Sequence, residues 1–148
     1  MMTEQHNVFI PRPTVYIAGP YSGSTGYHVE QNILRAGAYI LPIAECGGAP
    51  LCPHTMTRGL DGTLTYEDWI AITLSLLARS DAMLLTPDWI RSSGANTEHD
   101  FCAQTGRFEG LGLVRIKVFR ATEAAAVPWQ LGDWLADENA RRIERSGL

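Results

Sequence analysis

The sequence predicts an α/β protein, a parallel sheet with helices on both faces. Three observations carry the prediction. Short apolar runs alternate with longer amphipathic segments, in the order β-α-β-α-β-α-β-α. The first run, Thr14-Val15-Tyr16-Ile17-Ala18, is apolar and β-branched throughout, as a strand buried on both faces requires. Loops rich in glycine and hydroxyl groups follow the strands, where such sheets hold their ligands.

The elements follow in order. Residues 1–13 are polar with two prolines and read as a flexible arm, ahead of one domain over residues 14–148. The strand at 14–18 stops at Gly19-Pro20, and Tyr21 to Gly26 form a glycine- and serine-rich loop. A helix is expected from His28 to about Cys46, with Ile33, Leu34, Ala38 and Leu41 inward. Pro42 should kink it or end it early, and Gly47-Gly48 should terminate it.

Ala49-Pro50-Leu51-Cys52 reads as a second strand, ended by Pro53-His54, and Thr55 to Thr65 as a loop. Thr65 and Asp68 have the spacing of a capping box for a helix to about Arg79. Trp69, Ile72, Leu76 and Leu77 should form its buried face. Ala82 to Leu85 is the third strand, and the stretch from Ser92 to Gly106 opens as a loop and continues as a helix. Val114 to Phe119 alternates enough for a fourth strand near an edge. Pro128-Trp129 introduces a last helix, Gln130 to about Arg145.

Composition limits the function. The chain has 148 residues, 45% hydrophobic and 19% charged, enough for a single domain with a real core. A net charge of −4 argues against a partner that is a nucleic acid polymer, but a few N–H groups still suffice for one phosphate. Cys46, Cys52 and Cys102 give neither a disulfide framework nor a metal-binding spacing, and fit free thiols in a reducing cytoplasm. No signal peptide is expected at the N-terminus, and no apolar run is long enough to span a membrane.

The strand-end rule gathers three loops on one rim: Gly19–Gly26, Pro53–Gly62 and Thr86–Glu98. The first lacks the spacing of a dinucleotide fingerprint, and suits close approach of a sugar or phosphate to the backbone. Ser92, Ser93 and Gly94 open a helix whose free N–H groups can hold a phosphate; a plain N-cap is the competing role. Glu98 lies about a turn further on, where a carboxylate can serve the helix dipole or chemistry. Asp88, His54 and Tyr21 share this rim, while Asp81, which precedes its strand, belongs to the opposite end.

These residues together resemble a family. Tyr16-Ile17-Ala18-Gly19-Pro20-Tyr21, Asp81-Ala82 with its apolar strand, and Trp89 followed by Ser92-Ser93-Gly94-Ala95 and Glu98 are similar to the nucleoside 2-deoxyribosyltransferase-like superfamily. The likeness is greater to a small bacterial and phage branch in which Pro53-His54 also recurs, and it covers about Thr14 to Gly106. It implies a flavodoxin-like Rossmannoid three-layer sandwich with a parallel sheet, and cleavage of an N-glycosidic bond without metal or organic cofactor. Glu98 would attack the anomeric carbon, and the glycosyl ester would pass to water or to a second base.

In that superfamily an aspartate near the position of Ser92 suits free nucleosides, and a serine suits nucleotides. Ser92 and Ser93 therefore imply hydrolysis of a (deoxy)nucleoside 5′-monophosphate, with Gly94 beside them, His54 on the rim, and Gly19, Pro20 and Tyr21 under the sugar. Thr73 stands where the family usually has an aspartate. The acid for the leaving base would then come from Asp88, Asp68 or His54. The alternatives are a nucleotide-binding or sensing module with little catalysis, and deoxyribosyl transfer between nucleosides. The family also implies a homo-oligomer, for which Trp129, Trp134 and Leu135 could supply apolar surface.

Overall fold

The run at residues 14–18 forms β1 (Thr14–Ala18), and its neighbours in the sheet are β2 (Ala49–Leu51) and β3 (Ala82–Leu85). The computed structural model describes residues 8–104, 107–109 and 112–147. The main sheet is completed by β6 (Lys117–Arg120) in the order β2-β1-β3-β6, all parallel. Val15 pairs with Ala82 and Ala18 with Leu85, and across the next ladder Ala82 pairs with Lys117. Pro50 is tolerated in β2 because that strand is an edge.

Alternation along the central strands divides the core into two layers. Val15, Ile17, Ala82 and Leu84 face α1 (Gly26–Gly37), α2 (Ile40–Glu45) and α6 (Val127–Arg145). Tyr16, Ala18, Met83 and Leu85 face the other way, toward Leu77 of α4 (Tyr66–Leu77) and Cys102 of α5 (Ser93–Gln104). This is the three-layer α/β sandwich that the alternating elements predict.

Several elements differ from expectation. The first long helix is interrupted as Pro42 led one to expect, because Pro42 has no N–H to offer Ala38 and its ring crowds that carbonyl, but its inward face differs. The break falls at Ala38-Tyr39, and the inward face becomes Ile33, Ala36, Tyr39 and Ile43. Leu34, Ala38 and Leu41 are exposed instead. The stop at Gly47-Gly48 is a Schellman motif: Gly48 N–H reaches Ile43 O at 3.0 Å and Gly47 N–H reaches Ala44 O at 3.1 Å. Gly47 has φ of 93°, which suits glycine.

Pro53-His54 does not merely end a strand but begins a short helix, α3 (Pro53–Met56). In α4, Thr65 caps by accepting from Asp68 N–H at 3.1 Å. Ile72 is exposed at 37%, so the buried face is Leu77 with Leu74 and Leu76 packed beside it. The fourth parallel strand starts at Lys117 rather than Val114. Its ladder begins where Lys117 N–H meets Asp81 O, and β3 offers no partner beyond that point. Gly112–Val114 is instead β5, antiparallel to β4 (Arg107–Glu109), a hairpin the sequence reading missed. The expected helix end at Gly106 lies outside the described residues.

The last residues of the arm are held against the body. Residues 1–7 lie outside the described residues. Pro13 is buried and accepts from Ala49 N–H at 2.8 Å, and Pro11 O accepts from Arg142 at 3.1 Å. No helix among the described residues is long and apolar enough to cross a membrane. The C-terminal apolar residues divide: Leu135 is fully buried, Trp134 packs edge-on to Phe119, and Trp129 is 90% exposed.

Candidate active site

A cavity of about 410 Å³ opens at the carboxyl end of the sheet. All three expected rim loops contribute to its wall. Gly19, Pro20 and Tyr21 come from the loop after β1, and His54 comes from α3. Ser92, Ser93, Gly94 and Glu98 come from the start of α5.

Glu98 lies on the inward stripe of α5. Ala95, Glu98 and Cys102 are spaced as one helix face, and all three are buried. Glu98 is 8% exposed, and its Oε2 has no hydrogen-bond partner among the described residues. Burial pushes its pKa up to about 7, and a hydrogen bond from the Tyr16 hydroxyl opposes the rise. Tyr16 projects from β1 into the same layer, and its own phenol is pushed above the ordinary range, first by burial and then by the charge of Glu98. Thr73 lies against the Tyr16 hydroxyl and lines the cavity. Its hydroxyl donates to Ile70 O at 3.2 Å.

His54 is 6% exposed and holds the first loop in place. Its Nε2 lies 3.1 Å from Gly19 O and 2.9 Å from Pro20 O. Both partners only accept, so Nε2 carries the proton. Burial lowers its pKa, which favours the neutral ring, and its buried Nδ1 is an acceptor without a partner among the described residues. A ring in this state has no spare proton for a leaving group.

Tyr21 packs edge-on to His54, with centroids 5.6 Å apart. Its hydroxyl donates to the Asp61 carboxylate. Burial and then this bond push the phenol up to about 12. Asp61 itself lines the cavity. Gly19 is required by packing, because a Cβ there would lie 2.1 Å from Thr86 Oγ1.

Ser92 takes the N-cap role of the two expected for it. Its Oγ accepts from Ala95 N–H at 3.1 Å, an N-cap, while the hydroxyl proton stays free to donate. Ser93 Oγ lies 3.2 Å from the Tyr66 hydroxyl. Arg91 also lines the cavity, which puts a cation beside the helix N-terminus. Asn96 pins this turn by donating to Ile90 O and to Ser92 O, each at 2.8 Å.

Asp88, expected among the catalytic residues, does not line this cavity. Buried Thr86 packs at Gly19, and the chain leaves β3 on the α1 side, so exposed Asp88 borders a separate hollow with Tyr39 and Glu123. Asp68 is exposed on the first turn of α4, away from the cavity wall. Sequence reasoning passed over Asp61, Arg91, Asn96 and Tyr66. Asp61-Gly62 reads as a turn signal and Arg91 as a solvated charge, so neither stood out. Among the described residues no three His, Cys, Asp or Glu side chains gather as metal ligands.

Fold and site together define a small α/β protein with a buried carboxylate, one of its oxygens unpartnered among the described residues, at the carboxyl end of its sheet. The chain belongs to the family described as a domain of unknown function, DUF4406, which matches residues 13–108. No curated protein matches it.

Proposed function

We propose that the protein hydrolyses the N-glycosidic bond of a (deoxy)nucleoside 5′-monophosphate, with Glu98 as nucleophile. The observation that carries this is the Glu98 carboxylate, buried against the cavity with Oε2 unpartnered among the described residues. A buried carboxylate left so exposed to its own desolvation is a frequent sign of function. The resemblance of the sequence to nucleoside 2-deoxyribosyltransferase-like proteins supports the same reading.

In this mechanism the Glu98 carboxylate forms a bond to C1′ as the C1′–N bond breaks. The bonding pair leaves with the base, which takes its proton from water admitted to the cavity. Water then hydrolyses the glycosyl ester. Tyr16 holds the carboxylate in line. The 5′-phosphate rests on the N-terminus of α5, the hydroxyls of Ser92 and Ser93, and Arg91. No metal or organic cofactor enters the scheme. The reading sets the protein in the cytoplasm, where such substrates occur and free thiols persist. It also includes a homo-oligomer, for which exposed Trp129 offers contact surface.

The test is incubation with a panel of deoxynucleoside and ribonucleoside monophosphates, with free base followed by chromatography. Wild type should release base, and Glu98→Ala should lose at least about a thousandfold of the rate. Equal release by the two proteins refutes the assignment. Thr73, beside Tyr16 where an acid is absent, favours a second reading, a nucleotide sensor with little turnover. Turnover that appears only in Thr73→Asp selects the sensor. Base exchange between free nucleosides, without need of phosphate, selects a transferase.

A further inference from the structure

A second cleft, of about 850 Å³, opens at the other end of the sheet, where Thr14 and Lys117 begin their strands. Among the described residues, six of the chain's 12 Lys and Arg side chains line it, with two carboxylates, Asp81 and Glu138. The chain as a whole carries a net charge of −4, so this concentration of cations in one concavity is local.

Both carboxylates are already engaged. Asp81 pairs with Arg142 at 3.0 Å and accepts from Thr14 N–H at 2.8 Å. Glu138 pairs with Arg141 at 2.6 Å. Arg12, Arg115, Lys117 and Arg145 are exposed and make no ion pair among the described residues. Ile116 and Trp134 supply an apolar part of the wall, which strengthens charge interactions beside it. The bridge from Arg142 through Asp81 to Thr14 ties α6 to the sheet and presets the cleft.

Cations gathered in a concave surface focus a positive potential and favour an anion. One phosphate cannot answer four separated cations; a chain of phosphates can. We propose that this cleft binds an oligophosphate, either free or as the tail of a nucleoside triphosphate, on Arg12, Arg115, Lys117 and Arg145. The strands between the two sites run about 15 Å. The proposal therefore does not rest on the function assigned to the Glu98 cavity.

Calorimetry of the full chain with inorganic tripolyphosphate at low salt tests it. Wild type should bind saturably and lose affinity as salt rises. Lys117→Glu/Arg145→Glu should weaken binding at least about tenfold, and the milder Lys117→Gln/Arg145→Gln should weaken it less. Arg35→Ala, on α1 and outside both sites, should bind as wild type does. Competition with a nucleoside triphosphate separates the two sources: tighter binding of either compound, lost in the cleft variants, supports the site. Absence of saturable binding overturns the proposal, as does a loss confined to Arg91→Ala, which would place the binding at the Glu98 cavity. Preference for a long single-stranded oligonucleotide over tripolyphosphate also overturns it, since the cleft would then serve a polymer backbone. Base release is measured alongside and bears only on the Glu98 cavity.

Discussion

Glu98 is 8% exposed with one oxygen unpartnered among the described residues, and it makes folding depend on pH. The carboxyl of Glu98 moves from an ordinary 4.5 to about 7. The folded chain thus holds this proton more firmly than the unfolded chain does. Its contribution to stability is complete below about pH 4.5 and is lost as pH climbs through about 7. Over that interval the loss is on the order of 3 kcal/mol. Glu98→Gln removes it, so the variant should melt above wild type at about pH 8, with the gap closing toward about pH 4. Thermal melts across that range check the sign, and a wild type that grows more stable with rising pH contradicts it. Base release should show the opposite trend, rising with pH as the nucleophile ionises. The position of Glu98 on a buried stripe with Ala95 and Cys102 could be read from spacing. Its bond to Tyr16 could not, because nothing local to either residue announces the other.

The rim is built by elements that hold one another through few contacts. Gly19 lets the end of β1 pass against Thr86 at the end of β3. Gly19→Ala should cost roughly 1–3 kcal/mol through overpacking, and adding Thr86→Ala should return much of it. Denaturant titrations of both variants measure this; no recovery in the double variant would mean that the strain lies elsewhere. Asn96 fixes the turn from Trp89 to Ser92 that presents Arg91 and the helix N-terminus. Asn96→Ala should raise KM for a monophosphate more than it lowers kcat, because it loosens the phosphate end and leaves Glu98 in place. A kcat loss with KM unchanged argues against that role. Strand and helix order followed from patterning, since β1 and β3 are apolar without alternation and Thr65 caps as its spacing says. The interruption expected from Pro42 was legible too, and falls at Ala38-Tyr39 because proline acts on the carbonyl four residues before it. The helix at Pro53 was not, because Pro-His after a strand reads as its end while proline equally suits the first helical position. The Asp61 carboxylate was hidden by a turn dipeptide, and its place on the cavity wall depends on how its loop folds back to Tyr21.

At the scale of the molecule, the sheet separates two sites of different charge. The carboxyl end holds a buried acid in a partly apolar cavity, and the amino end holds a cleft with Arg12, Arg115, Lys117 and Arg145 outside any ion pair among the described residues. The strand-end rule located the first from sequence. The second escaped notice because its cations are scattered from Arg12 to Arg145 and meet only when α6 packs across the sheet. The overall negative charge concealed them further. What makes the Glu98 cavity an active site, rather than a binding site, is whether that carboxylate forms a bond to the sugar. Acid-quenched mixtures of the protein with a deoxynucleoside monophosphate, digested and weighed by mass spectrometry, answer this. The account predicts that the peptide containing Glu98 gains the mass of one deoxyribose 5-phosphate unit. Release of base with that peptide unmodified at every time point would contradict it.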